Sequence, residues 1–576
     1  MYTQRGVSFV RRAFYTPILL SYMRMLFITR RVPLFVWGLL ALSLVVWGGC
    51  DGSPASEEEP APDADEATAW HYGTTYHVFV HSFADGNGDG IGDFEGLIQK
   101  LDYIDELGVE SIWMLPVHPS PSYHKYDVTD YRAIHEDYGT MSDFERLLDE
   151  AEARDIKIIM DLVVNHTARD HPWFQQAVAD TTSPYYDFYV WQDAEAVAET
   201  EVDAGPDTDN RQQWHAVEEI DDVQDGIDQQ RYYGYFWGGM PDLNFDNPAV
   251  RDSIISIGEY WLDKGVDGFR LDAAKHIFED DRADDTKDWW REFRSEMEAE
   301  DPNVLLVGEV WDDAETVAPY FEGLHALFNF DLSSNIIEAL QTGTGDSLAV
   351  ELADTRATYG DIAPSFIDAT FLTNHDQPRI LGELPNEAHM RTAAYLLFTL
   401  PGSPYVYYGE EIGMYGEKPD PNIREPMLWA PEDEDSLRTT WIEPEYSTDD
   451  TVTPVAVQNE QDDSLLNLYR ELIHLRRDTD ALRHGTLHPV TFEEMPEALS
   501  IYERRTDDGE SLLVAHNVSA ESIDVTLPDD LRTRYATVWH ASDEAVQNTD
   551  DGASLPAATT IIWTDDPDSG TADASL

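Results

Sequence analysis

From about residue 70 onward, short apolar runs alternate with stretches whose apolar residues recur at three- and four-residue intervals. TYHVFVHSF at 75–83, ESIWMLPV at 110–117 and IKIIMDLVV at 156–164 have the length and the β-branched and aromatic content of buried strands; helical periods at 94–107 and 142–153 lie between them. This is a βαβαβ pattern, which predicts a parallel sheet. The rhythm stops between His166 and a helix starting near Asn247, where Trp, Tyr, Gly and acidic residues form no clear strand-helix unit. It resumes with GVDGFRLD (265–272), VLLVGEV (304–310), ALFNFDL (326–332), ATFLTN (369–374) and SPYVYYGEE (403–411). Eight strands close a (β/α)8 barrel, so the interruption is expected to be an insertion after the third strand, at the carboxyl end where βα loops build active sites. A helix over 461–477 ends the barrel pattern, and ALSIYERR, SLLVAHNV and SIDVTLP behind it predict antiparallel β structure.

The chain therefore divides into an α/β barrel over 70–165 and 245–480, an inserted domain over 166–244, a C-terminal antiparallel β-sandwich domain over 481–566 and a polar tail over 567–576. An apolar fraction of 42 %, with 16 Trp, 28 Tyr and 22 Phe, is ample for a large core and supplies aromatic faces for stacking on sugars. A formal charge of −76 argues against nucleic acid or anionic lipid as a partner. The acid is dispersed, and only seven of the 37 basic residues are Lys, a balance resembling halophilic proteins.

Cys50 is the single cysteine, so no intrachain disulfide is available. Arg24, Arg30 and Arg31 precede an apolar run from Val32 to Trp47 and then Gly48-Gly49-Cys50, which reads as an export signal over 1–50 and is short for a ~20-residue membrane span. It resembles a bacterial lipoprotein signal in which Cys50 becomes the lipidated first residue, with Met23 or Met25 as alternative starts. An exported protein anchored to the cell envelope through that lipid is expected, with a flexible acidic tether over 51–69.

Four segments at strand ends carry candidate chemistry: DLVVNH (161–166), GFRLDAAKH (268–276), GEVW (308–311) and NHDQPR (374–379). Asp272 and Glu309 are 37 residues apart, and Glu309 and Asp376 are 67 apart, about one and two strand-helix units, so a barrel brings the three acids to one rim. Arg270 and Asp272 lie two apart on one strand and face the same way; a neighbouring guanidinium keeps a carboxylate ionised, as a nucleophile must be. Glu309, among Val307, Val310 and Trp311, has the apolar surroundings that raise a carboxyl pKa toward general-acid use. DGNGDGIGD (85–93) sets Asp85, Asn87, Asp89 and Asp93 at near-alternate positions around glycines, with the Ile91 carbonyl free to join. Such hard oxygen donors suit Ca²⁺, although the loop departs from an EF-hand at its twelfth position, Gly96.

These four motifs resemble the signature regions of the α-amylase family of (β/α)8 glycoside hydrolases, over about Tyr72 to Trp563. The resemblance implies Asp272 as nucleophile, Glu309 as general acid and base and Asp376 as transition-state stabiliser in a retaining double displacement. It implies that His166, Arg270 and His375 line the subsite of the reacting sugar with Tyr126 stacked beneath it, that Arg379 binds substrate, and that Lys275 and His276 contact sugars on the leaving-group side. It also implies Ca²⁺ at the 85–93 loop and a second site using Asn165 and the His276 carbonyl. MPDLN at 240–244 is similar to an intermediate group between oligo-1,6-glucosidases and neopullulanases. Endo-hydrolysis of α-1,4-glucan by a monomer is expected. The alternatives are a neopullulanase or cyclomaltodextrinase, an α-glucosidase, a trehalose synthase-like transglycosylase, or a non-catalytic surface carbohydrate-binding protein.

Overall fold

The computed structural model describes residues 68–199, 213–217, 223–224, 226–507 and 509–566; the expected export signal over 1–50 with Cys50, the expected tether up to residue 67 and the tail over 567–576 lie outside the described residues. Eight parallel strands form a closed barrel: β1 (Thr75–Val78), β2 (Ser111–Met114), β3 (Lys157–Leu162), β4 (Gly268–Leu271), β5 (Leu305–Gly308), β6 (Ala326–Phe328), β7 (Ile367–Phe371) and β8 (Ser403–Tyr407). Each pairs with its neighbours in chain order, and β1 closes against β8 through Thr75 opposite Tyr405.

These strands are buried almost throughout, which is why they read as continuous apolar runs rather than alternating ones. Trp113, Ile159, Leu305, Val307, Phe328, Phe371 and Tyr405 form one buried cluster; a larger one lies where helices pack on the strands. The strands are shorter than the apolar runs suggest. After β1 the chain enters a helix at Val80–Phe83, and after β6 another at Phe330–Thr342, started by Asn329 accepting from the Leu332 amide. Apolar composition is shared by buried strands and buried helix starts, so the runs alone do not mark these boundaries. The expected helix over 94–107 is two, Phe94–Gln99 and Leu101–Leu107, joined at Lys100.

Between β3 and β4 the chain leaves the barrel. It forms the helix Pro172–Ala179, with Pro172 in its first turn, and a three-stranded sheet in the order Trp191–Asp193, Gln230–Tyr233, Trp214–His215. It returns through an antiparallel bridge of His166 with Asp242 and the helix Pro248–Leu262, capped by Asn247. After the helix Leu465–Asp478 come a five-stranded antiparallel sheet and a three-stranded one, which share a core of Leu499, Leu513, Val525, Leu555, Ile561 and Trp563. Arg504 of this region is buried and donates to the Thr399 carbonyl of the barrel at 2.5 Å.

Candidate active site

The register of β3 against β4 sets Asp161 beside Arg270, and Asp272 follows directly after β4. Arg270 is buried, and its guanidinium links three carboxylates. Nη1 donates to both Asp161 oxygens at 3.0 and 3.1 Å and to Asp272 at 2.7 Å, and Nη2 donates to Glu309 Oε2 at 2.5 Å. The Trp113 indole, also donating to Asp161 at 3.3 Å, places its ring near the guanidinium, with 5.3 Å from Arg270 Cζ to the ring centroid. One cation among three acids is a charge-assisted network with rigid fork geometry, not an isolated ion pair.

The backbone after Asp272 is held in an uncommon state. Ala273 sits at φ 48°, ψ 39°, a left-handed conformation that a residue with a Cβ rarely adopts. Its amide points at Glu309 Oε2 at 3.3 Å, so the turn after the candidate nucleophile also orients the candidate acid. Both donors engage Oε2, which leaves Oε1 to carry a proton. Burial pushes Glu309 up to about 7, with the carboxylates of Asp272 and Asp376 adding to the rise against the opposing charge of Arg270.

Asp376 is held by different partners. His375 Nε2 lies 3.1 Å and Arg424 Nη2 2.8 Å from its two oxygens, while Arg424 Nε also donates to the His375 carbonyl at 2.9 Å. Burial works against ionisation, yet His375 and the Arg424 guanidinium outweigh it and hold Asp376 well below the usual carboxylate range. Its side chain remains 38 % exposed, the most open of the three acids. Tyr126 Oη bridges this group to the first: it lies 2.7 Å from His375 Nε2 and donates to Asp161 at 3.1 Å, with its ring parallel to that of His375. His77, stacked on Trp113, closes the base. Among the described residues, His77 Nε2, His166 Nε2 and His375 Nδ1 are buried without a hydrogen-bond partner.

The structure thus gathers Asp272, Glu309, Asp376, Arg270, Tyr126 and His375 into one connected group. His166 lies against Phe236 of the inserted segment, and His276 stacks on Tyr235 at 4.1 Å. Lys275 pairs with Asp312 at 2.7 Å, next to Trp311, which is 55 % exposed and stacked on Phe330. Arg379 is buried over the rings of Tyr407 and Tyr408 and donates to the carbonyls of Tyr408 and Ile423, while its Nη2 is buried without a hydrogen-bond partner among the described residues. Sequence reasoning assigned no role to Asp161, Arg424, Trp113 or His77. Asp161 carried a usable signal, a lone acid inside an apolar strand; Arg424, in an irregular segment far along the chain, carried none.

In the 85–93 loop, Asp85 accepts from the Gly88 and Gly90 amides and Asp93 from Gly86, Asn87 and Gly96, while Asn87 and Asp89 accept from Asp89 and Ile91. Gly88 and Gly90, at φ 86° and 96°, allow the coil. Asp85 and Asp93 are buried, and among the described residues neither pairs with Lys or Arg; burial raises Asp93, and the neighbouring Asp85 charge adds to the rise. Two buried carboxylates with only dipoles for compensation form a donor set that fits a hard divalent cation. Among the described residues no cluster of three His, Cys, Asp or Glu has metal-binding geometry. Elsewhere, Asn165 hydrogen-bonds the buried Asp242, which burial pushes up to about 8.

Residues 77–485 match the family described as alpha amylase, catalytic domain, and residues 502–562 match the alpha-amylase SusG C-terminal domain. Alpha-amylase 3 of Dictyoglomus thermophilum is 41 % identical over 77 % of this chain and 84 % of its own length. A 4-alpha-glucanotransferase of Thermotoga neapolitana is 34 % identical over 77 % of this chain and 95 % of its own. The crystal structure of an alpha-amylase from H. orenii superposes with a TM-score of 0.75 at 40 % identity, covering 86 % of this chain and 99 % of that one.

Proposed function

The chain belongs to the α-amylase family of glycoside hydrolases, and from that footing we propose that it cleaves internal α-1,4-glucosidic bonds of starch-like glucans with retention of configuration. The observation that carries this reading is the single guanidinium of Arg270 shared by Asp272 and Glu309. Two carboxylates bonded to one guanidinium are held together within reach of a single glycosidic bond, as a nucleophile and an acid acting in turn on that bond require.

In the first half-reaction, Asp272 attacks the anomeric carbon as the bond to the leaving glycosyl oxygen breaks, and the proton on Glu309 Oε1 passes to that oxygen. In the second, Glu309 takes a proton from water, the water oxygen bonds to the anomeric carbon, and the bond to Asp272 breaks. A Glu309 pKa of about 7 suits both roles near neutral pH. Asp376, kept ionised by Arg424 and His375, holds the sugar hydroxyls and favours the distorted ring. His276, with Lys275 paired to Asp312, shapes the leaving-group side.

Transfer to a sugar acceptor is a second reading, favoured by the exposed Trp311 on Phe330, a platform two residues from Glu309. Ca²⁺ belongs to the proposal: Asp85, Asn87, Asp89, Asp93 and the Ile91 carbonyl would hold it, and Asn165 with Asp242 would contribute to a second position. Bound there, Ca²⁺ supplies fixed positive charge to buried oxygens and tightens the loop. Export with a lipid on Cys50, a monomeric state, a salt requirement and the intermediate subgroup suggested by MPDLN complete the reading. The test is a time course of products from soluble starch, maltotriose and cyclodextrin in high salt with calcium, with Asp272→Asn as control. Early mixed oligosaccharides support endo-hydrolysis, products longer than the substrate support transfer, and full activity in Asp272→Asn overturns the mechanism.

A further inference from the structure

Apart from the barrel mouth, a cavity of about 730 Å³ lies between the inserted segment and the helix Pro248–Leu262. None of its lining residues belongs to the catalytic group described above. Its size is within the range of small-molecule sites, about 300–1,000 Å³. One wall is aromatic. Trp173 and Tyr185 are both half-buried, and their rings are nearly parallel, with centroids 6.1 Å apart and planes at 14°. Tyr131, His171 and Phe188 back them and fix their orientation, with Trp173 edge-on to Phe188 at 5.2 Å. Among the described residues, neither the Trp173 indole N–H nor the Tyr185 hydroxyl donates within the protein, so each keeps a polar group at the edge of an apolar face. The facing helix presents Asp252, Ser253 and Ser256 beside Ala249 and Ile257, and the adjoining loop adds Asp130 and Arg132, whose guanidinium donates to Ser256.

We propose that this groove is a second binding site for an α-glucan oligosaccharide, a reading that rests on the glucan-active function above. Paired aromatic faces bounded by carboxylates and hydroxyls match a pyranose, which has apolar C–H faces and a rim of hydroxyls. The lining sets Asp130 and Asp252 beside Arg132, charges of both signs that the hydroxyls of a neutral sugar can bond, and the net charge of −76 disfavours an anionic ligand. A polymeric substrate is long enough to rest in this groove while another segment occupies the cleft. The floor is also tied to the active site, because the Tyr131 hydroxyl donates to the His166 carbonyl at 2.8 Å, so the groove lies behind the loop that carries His166.

The test uses the full chain in high salt with Tyr185→Ala, which removes one aromatic face, and Ser253→Trp, which fills the groove from the helix side without removing any core contact. Binding of maltoheptaose is measured by calorimetry in an Asp272→Asn background, adsorption to granular starch in both backgrounds, and turnover of soluble maltotetraose in the active protein. We expect two classes of maltoheptaose site in the parent and one in Ser253→Trp. Adsorption to granules should weaken about tenfold in both variants, equivalent to about 1.4 kcal/mol, with maltotetraose turnover unchanged. A single class of site in the parent, unchanged adsorption in both variants, or a loss of maltotetraose turnover parallel to the loss of adsorption overturns the proposal. Absence of turnover in the parent chain would instead fail the functional reading, which separates the two.

Discussion

Replacing Arg270 by Lys keeps one positive charge but removes the fork. Arg270 makes three charge-assisted contacts from two nitrogens, to Asp161, Asp272 and Glu309, and its own exposure is about 1 %. A lysine ammonium donates from one point and reaches at most two of these acids, so at least one buried carboxylate loses its partner. Hydrogen bonds to charged groups are worth roughly 1.5–3 kcal/mol, and stranding one partner of a buried pair costs about 3–5 kcal/mol. A loss of about 2–4 kcal/mol in unfolding free energy is therefore expected, read from denaturant titration at fixed salt. Misplacing Asp272 and Glu309 should lower kcat/KM by about 10²–10³, corresponding to 3–4 kcal/mol of transition-state stabilisation. The pH profile gives a further check. Arg270 opposes the upward shift of Glu309, so with the fork gone the Glu309 pKa rises and the alkaline limb moves to higher pH. A Lys variant within about threefold of wild-type kcat/KM, with an unmoved alkaline limb, would refute this account of Arg270.

Three other outcomes follow from the structure. With Glu309 held at about 7, kcat/KM should fall as pH rises through 7 because the acid loses its proton, and Glu309→Gln should lower it by about 10²–10⁴ and remove that limb; a wild-type profile flat to pH 9 would contradict this. Glu410 is buried with only Oε1 bonded, to Tyr469, and burial pushes it up to about 8. The folded state then binds more protons than the unfolded state between the ordinary glutamate pKa and about 8, so stability falls as pH rises through that window, by up to about 1.4 kcal/mol per pH unit. Glu410→Gln should flatten that slope in thermal unfolding, and an unchanged slope would count against it. Removing calcium with a chelator should lower the unfolding temperature, with saturating Ca²⁺ at about 100 times its Kd worth about 2.7 kcal/mol. Asp89→Ala, at an exposed position, should abolish that calcium response while leaving the chelated protein unchanged; a full response in this variant would remove Asp89 from the ligand set.

The barrel was legible because β3, β4, β5, β7 and β8 are buried on both faces and so appear as mostly apolar runs, broken only by single polar or charged residues such as Asp161, Arg270 and Asp368. Asp272, Glu309 and Asp376 were legible because each ends or follows such a run. What escaped was whatever depends on contacts between distant segments. Arg424 reaches Asp376 from 48 positions along the chain, in a stretch with no periodic pattern, and nothing local shows that the Arg379 guanidinium turns toward the Tyr408 and Ile423 carbonyls. Asp161 stood in a quoted motif, yet its partner Arg270 is set by strand register, which an isolated sequence does not display. The groove at Trp173 and Tyr185 arises where an irregular insertion packs on a barrel helix, and it left no trace in the periodicity.

The central claim is that Asp272 and Glu309 act as nucleophile and acid across one glycosidic bond with retention. It is tested most directly by proton NMR of the first-formed reducing ends during cleavage of maltoheptaose, recorded before mutarotation. The account predicts the α-anomer alone in the earliest spectra, and the β-anomer as first product would contradict it.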